Sequence, residues 1–232
     1  MLVALPTTFT LTSILFGLLA VVWAPTQPVW AALAIVFAAL CDGLDGRVAR
    51  LTHTESEFGM QLDSLADAVS FGVAPATLIY YWALSEVTGG LVIAMAYLAC
   101  GVCRLARFNV EAAKPDAPKE FKGLPIPAAA GFLVGVVLAG SDLDSATLMR
   151  ASVVGPITLM LAVLMVSRIE FRSFKRFRSL RTKLAFGGAV AVGLGVLVAY
   201  TTVGVMLLTC GIIYVSSGVI PALLRLPKRV RR

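Results

Sequence analysis

Apolar residues in this chain come in runs about as long as a bilayer is thick. The short links between them hold nearly all of the charge. A helix needs about 20 predominantly apolar residues to cross the hydrocarbon core. Hydrocarbon offers no water to unpaired amides, so spanning segments fold as helices that satisfy their own backbones. Of the 232 residues 59% are hydrophobic and 14% charged, where soluble domains carry about 25% charged residues. The sequence therefore predicts an all-α polytopic integral membrane protein, one membrane domain over residues 1–232. Eight spans are expected, at 9–24, 28–50, 59–84, 88–110, 124–141, 146–167, 183–201 and 203–222. The last two form one apolar run from Lys183 to Leu224, divided here near Tyr200-Thr201-Thr202.

Eight spans put both termini on one side, together with the links 51–58, 111–123 and 168–182. Counting the helix ends beside them, every Lys and Arg except Arg150 falls on that side. The opposite links carry Glu86, Asp142 and Asp144. The positive-inside rule makes the basic side cytoplasmic, in the cell (cytoplasmic or inner) membrane. The same distribution argues against nucleic acid as a partner, because the net charge of +7 marks segment ends and forms no patch. The block Arg168–Lys183, interleaved with Phe171, Phe174 and Phe177, and the tail Arg225–Arg232 suit interfacial segments on anionic lipid. The first 24 residues lack a basic leader and a cleavage site and read as a retained span. Cys41, Cys100, Cys103 and Cys210 all fall in spans. Cys100-Gly-Val-Cys103 has no partner pair or histidine nearby and reads as small buried packing.

Four aspartates break the apolar pattern: Asp42 and Asp45, then Asp63 and Asp67. Asp42 and Asp45 are three apart and Asp63 and Asp67 four apart, so each pair shares one face of a helix. The eight-residue link Leu51–Phe58 is short and polar, making the two helices antiparallel neighbours whose four carboxylates converge. Carboxylates at the edge of hydrocarbon are kept when paired, metal-bound or functional. Oxygen-only donors suit a hard cation, Mg²⁺ or Mn²⁺, and two such ions are a common device for phosphoryl displacement. Gly46, Ala49 and Gly59 clear space beside the acids. Arg47 and Arg50 lie at the same end, and a guanidinium fork suits phosphate oxygens. Together these imply a pyrophosphate-containing substrate. His53, the one histidine, reads as a solvated residue of the link.

The spacing Asp42-x-x-Asp45-Gly46-x-x-Ala49-Arg50, eight residues, then Gly59-x-x-x-Asp63-x-x-x-Asp67 resembles the signature of the CDP-alcohol phosphatidyltransferases. Flanking segments extend the likeness over most of the chain: Leu62 to Pro75, Arg104-Leu-Ala-Arg107-Phe108-Asn109-Val110, and Phe121-Lys122-Gly123-Leu124-Pro125-Ile126-Pro127 onward to Gly131. These are similar to the membrane-integrated bacterial and archaeal branch that uses serine as acceptor. The resemblance implies that CDP-diacylglycerol and L-serine give phosphatidylserine and CMP. It implies that Asp42, Asp45, Asp63 and Asp67 bind two divalent ions and that Asp67 is also the general base. Gly46 and Arg50 would contact the CDP moiety and Ser56 would reach the diphosphate. The segment Pro6-Thr7-Thr8-Phe9-Thr10 would touch the nucleotide lipid; Thr7 stands where the family usually has Asn, and Thr10 matches. The family's usual assembly is a homodimer within membrane lipid.

The acceptor, a zwitterion, needs a cation facing the acids. Arg104 and Arg107 end the fourth span, Asn109 follows, and Lys122-Gly123 opens the fifth. Arg107, Asn109 and Lys122 are favoured for serine; the alternative is that these cations are topological anchors. The acid motif alone is compatible with other acceptors (glycerol 3-phosphate, inositol phosphate, choline) and with archaetidylserine synthesis. A divalent-cation transporter is the rival from another class, but it would place its acids near mid-membrane on symmetric helices.

Overall fold

The structure is a computed structural model and describes residues 4–52, 56–112, 121–143, 145, 150–171 and 203–225. Two helices, α1 (Ala4–Trp23) and α2 (Pro28–Thr52), form an antiparallel hairpin. The turn between them contains Pro25 and is closed by Gln27 N–H donating to the Trp23 carbonyl at 2.7 Å. Pro28 starts α2, where its missing N–H would have had no intrahelical partner.

Helix α3 runs continuously from Glu57 to Leu84. It is not regular: α-helical stretches at Glu57–Asp67 and Ala74–Ile79 alternate with wide, π-helical turns at Ala68–Val73 and Tyr80–Leu84. Four further helices follow: α4 (Gly90–Ala112), α5 (Ile126–Asp142), α6 (Ala151–Val166) and α7 (Val203–Arg225). Pro125, extended at ψ 138°, and Pro127 in the first turn fix the start of α5.

By length and apolarity four of these helices can cross a membrane: Pro28–Val48, Glu57–Leu84, Gly90–Glu111 and Val203–Ala222. Thr7–Trp23, Ile126–Asp142 and Ala151–Val166 are shorter apolar helices. The expected span at 183–201, His53, most of the Arg168–Lys183 block and the tail beyond Arg225 lie outside the described residues.

Helix α5 is the central post. Its Leu133, Val134 and Val137 have no exposed surface, and it touches α2, α3, α4, α6 and α7. Outer helices keep large apolar residues on their free faces, Leu15, Val92 and Ile213 among them, as lipid-facing helices do. One element departs from the all-α expectation. Phe121–Lys122 pairs antiparallel with Glu170–Phe171, Phe121 opposite Phe171 and Lys122 opposite Glu170. Lys122 therefore sits in this short ribbon and not at the start of a helix, because the prolines delay α5 to Ile126. Next to the ribbon, Gly123 N–H donates to the Ile169 carbonyl at 2.8 Å and Leu124 N–H to the Leu164 carbonyl at 3.0 Å. Gly123 has φ +85°, and a Cβ there would run into the Met165 carbonyl. Only glycine meets both demands.

Candidate active site

The acids sit where α2 ends and α3 begins. Ser56 caps α3: it is extended (φ −139°, ψ 154°), and its Oγ accepts the Gly59 N–H at 3.1 Å. Glu57 in the first turn complements the helix dipole. This cap fixes where α3 starts and hence the direction in which Asp63 and Asp67 point. Ser56, expected at the diphosphate, and Gly59, expected to clear space beside the acids, are thus in contact with each other through the cap.

Asp42, Asp63 and Asp67 each offer a carboxylate oxygen such that all three oxygens lie within 4.8 Å of one another. Charges at this separation repel by about 3–4 kcal/mol per pair at an effective dielectric of about 20. Arg104 of α4 lies within electrostatic reach of one of the three, Asp67. Oδ1 of Asp67 is buried and, among the described residues, is the one buried side-chain oxygen or nitrogen without a hydrogen-bond partner. Native structures rarely leave such an atom unsatisfied without a functional reason. Oxygen-only donors, crowded carboxylates and an orphaned oxygen are what a site for a hard divalent ion presents.

Asp45 is arranged differently. It is buried, and its Oδ2 accepts a hydrogen bond from Thr10 Oγ1 at 2.8 Å. It stands outside the tight group of three, although its charge still reaches Asp42 and Asp63. The sequence predicted four converging acids; three lie in the tight group, and the fourth stands beside it with a hydrogen-bond partner on α1 that lies 35 residues away. Thr10, expected at the nucleotide lipid, here steadies Asp45. Thr7 lies one turn earlier on α1 and is half-buried.

Space opens beside α2. A Cβ on Gly43 or Gly46 would meet nothing within 4 Å, so the helix offers room for a ligand next to the acids. Ala49 and Arg50 continue α2 toward its end, and their side chains lie outside those described.

The cationic side comes from α4. Arg104 is buried, stacks over the Phe108 ring at 5.3 Å and lies within electrostatic reach of Asp67 and of Tyr214 on α7. Arg107 takes another direction. It donates to the carbonyls of Val166 at 3.0 Å and Ser167 at 3.3 Å, where α6 ends. Asn109 is tied to α3: its Nδ2 donates to Ser64 Oγ at 2.9 Å, one residue from Asp63. The Lys122 side chain is outside those described. Tyr214 and Ser64 were not anticipated from the sequence, and Arg104 was named but not favoured. An arginine inside an apolar helix needs a nearby partner, which is the signal that could have raised it.

A model of the CDP-alcohol phosphatidyltransferase family matches residues 3–167. Over 175 residues the chain is 38% identical to a Helicobacter pylori (strain ATCC 700392 / 26695) protein named CDP-diacylglycerol–serine O-phosphatidyltransferase, covering 75% of this chain and 73% of that protein. A Mycobacterium leprae protein of the same name is 44% identical over 138 residues, 57% of this chain and 46% of its own length. An archaetidylserine synthase from Methanothermobacter thermautotrophicus is 40% identical over 145 residues, 61% of this chain and 57% of its own.

Proposed function

The chain belongs to the CDP-alcohol phosphatidyltransferase family, and from that premise we propose that it is a CDP-diacylglycerol–serine O-phosphatidyltransferase. It transfers the phosphatidyl group of CDP-diacylglycerol to L-serine and releases CMP. The observation that carries this reading is the convergence of Asp42, Asp63 and Asp67, set in the family's spacing, around an oxygen that lacks a partner. The acceptor is taken from the relatives, which are named for serine.

Asp42, Asp63 and Asp67, with Asp45 beside them, would hold two divalent ions, Mg²⁺ or Mn²⁺. Bound there, such ions draw charge from a diphosphate and stabilise a departing phosphate. The chain's own groups do the rest. Thr7, Thr10, Gly46, Ala49, Arg50, Ser56 and Gly59 surround the nucleotide and diphosphate. Asp67 takes the proton of the serine hydroxyl through the oxygen that has no donor. The serine oxygen bonds to the β-phosphorus as the bond to the CMP oxygen breaks, so CMP leaves with the electron pair. Base catalysis of this kind contributes about 10²–10⁴-fold. Arg104, buried and within electrostatic reach of Asp67, would meet the acceptor carboxylate; Arg107, Asn109 and Lys122 are the further acceptor-side residues. Direct displacement predicts no exchange of labelled CMP into CDP-diacylglycerol when serine is withheld.

Residues 1–232 form one membrane domain with eight spans. Both termini and the acid cluster face the cytoplasm, where CMP and serine exchange while both lipids stay in the bilayer. The support is the sequence, in which every Lys and Arg except Arg150 falls in or beside the links on the side of the acids. The assembly we assign is a homodimer.

The test of the acceptor runs serine, glycerol 3-phosphate and inositol phosphate in parallel, each labelled, with purified protein, CDP-diacylglycerol and Mg²⁺ or Mn²⁺. Labelled lipid from serine alone supports the reading, and labelled lipid from another acceptor in place of serine overturns it. The 40% identity to an archaetidylserine synthase calls for an ether-linked donor as a second arm.

A further inference from the structure

The wide turn that follows Asp67 has a cause in the sequence. Pro75 lies four residues after Phe71 and has no N–H. A regular α-helix would leave the Phe71 carbonyl without its donor and press the proline ring against it. The backbone widens instead over Ala68–Val73, and the Ala74 N–H reaches back five residues to the Val69 carbonyl. The Phe71 carbonyl then takes its donor from another helix: Tyr97 Oη of α4 donates to it at 3.1 Å, from a side chain with no exposed surface.

One residue earlier, Ser70, also fully buried, donates to the Ser13 carbonyl of α1 at 2.9 Å. Its hydroxyl lies 3.2 Å from Ser13 Oγ. Gly17, one turn further along α1, makes room for this contact; a Cβ there would come within 2.8 Å of Ser70 Oγ. Thr10, one turn before Ser13, holds Asp45. The same stripe of α1 thus grips α2 at Asp45 and α3 just beyond Asp67.

We propose that Ser70 and Tyr97 are positioning residues, which lock the wide turn of α3 to α1 and α4 and thereby set the Asp67 carboxylate against Asp42 and Asp63. A helix turns about 100° per residue, and a π-turn accommodates one extra residue. Released from α1 and α4, the turn could change its winding and swing Asp67 by up to about that amount relative to Leu78 and Ile79, which lie beyond the turn and anchor α3 in the core. Asp67 is the last residue before the turn, so any such rotation is passed to it directly. The catalytic consequence rests on the reading of the cluster as the site of phosphatidyl transfer; the ion-binding consequence does not.

The experiment compares full-length wild type, Tyr97→Phe, Ser70→Ala and Thr158→Val in detergent. Thr158 is a fully buried threonine whose hydroxyl bonds to its own helix at the Val154 carbonyl, away from the acids, and controls for the loss of a buried hydroxyl. Binding of Mn²⁺ alone is titrated by electron paramagnetic resonance, and kcat and the KM for CDP-diacylglycerol are measured separately. Tyr97→Phe keeps the ring and removes only the donor. It is expected to weaken Mn²⁺ binding about ten-fold and to lower kcat while leaving KM nearly unchanged, with Ser70→Ala alike and Thr158→Val unaltered. Wild-type Mn²⁺ affinity in both Tyr97→Phe and Ser70→Ala would overturn the proposal, as would an equal loss in Thr158→Val. Should Tyr97→Phe not fold, Ser70→Ala decides by the same criteria. Wild type that binds Mn²⁺ but transfers no phosphatidyl group would remove the functional reading and leave the binding comparison to decide this one.

Discussion

Two polar clusters occupy the same end of the helical bundle and differ in one respect. Around Arg107 and Gly123 the groups match: guanidinium and amide donors meet the carbonyls of Leu164, Val166, Ser167 and Ile169. Around Asp67 they do not: three carboxylates crowd together and a buried oxygen has no donor. The first cluster closes a helix end and a ribbon, and its side chains have their partners inside the protein. The second is incomplete without something from outside. A satisfied cluster stabilises, whereas an unsatisfied one stores cost that a ligand can relieve.

The contrast breaks most readily at the acids. Asp67→Asn is expected to lower kcat by about 10²–10⁴-fold, and Asp42→Asn and Asp63→Asn by at least as much, in steady-state assays of purified protein. Metal-free Asp63→Asn should melt above metal-free wild type, because one of the mutually repelling charges is gone. A fall in melting temperature would show the cluster to be satisfied after all. Chelation should abolish turnover of wild type, and Mg²⁺ or Mn²⁺ should restore it.

The two arginines of α4 sharpen the comparison at intermediate scale. Arg104→Gln should raise the KM for serine about ten- to a hundred-fold, the worth of a hydrogen bond to a charged group. Arg107→Gln should instead destabilise the fold by about 1–3 kcal/mol, by leaving carbonyls unpaired, with a smaller change in serine KM. Equal KM effects would place Arg107 in the acceptor site beside Arg104. A smaller effect is expected from Thr10→Val, a loss of about 1.5 kcal/mol for one hydroxyl donor to a carboxylate, read as an about ten-fold weaker response to added metal.

Much of this arrangement was legible in the residues. The phase of a helix puts Asp63 and Asp67 on one face whatever surrounds them, and the short polar link brings α2 and α3 together. The described helices followed from apolar run length, four of them long and apolar enough to cross a membrane, and Pro125 and Pro127 move the start of α5 to Ile126. What was illegible depended on contacts distant in sequence. Nothing local marks Thr10 as the partner of Asp45. Arg104 and Arg107 are three apart on one helix and share a broad face, so their different tasks are decided by where α6 ends. The π-turn lay between these cases: Pro75 inside an apolar run signals a missing donor, but the hydroxyl that replaces it comes from Tyr97 on another helix.

On the reading proposed above, the crowded acids carry out phosphatidyl transfer to serine. The most direct test of that reading follows CMP and phosphatidylserine together, with purified protein, CDP-diacylglycerol, serine and metal, in wild type and Asp63→Asn. The two products are expected to form at equal rates, dependent on metal and on serine, and to be lost in Asp63→Asn. CMP release without the lipid product, or undiminished transfer by a folded Asp63→Asn, would contradict it.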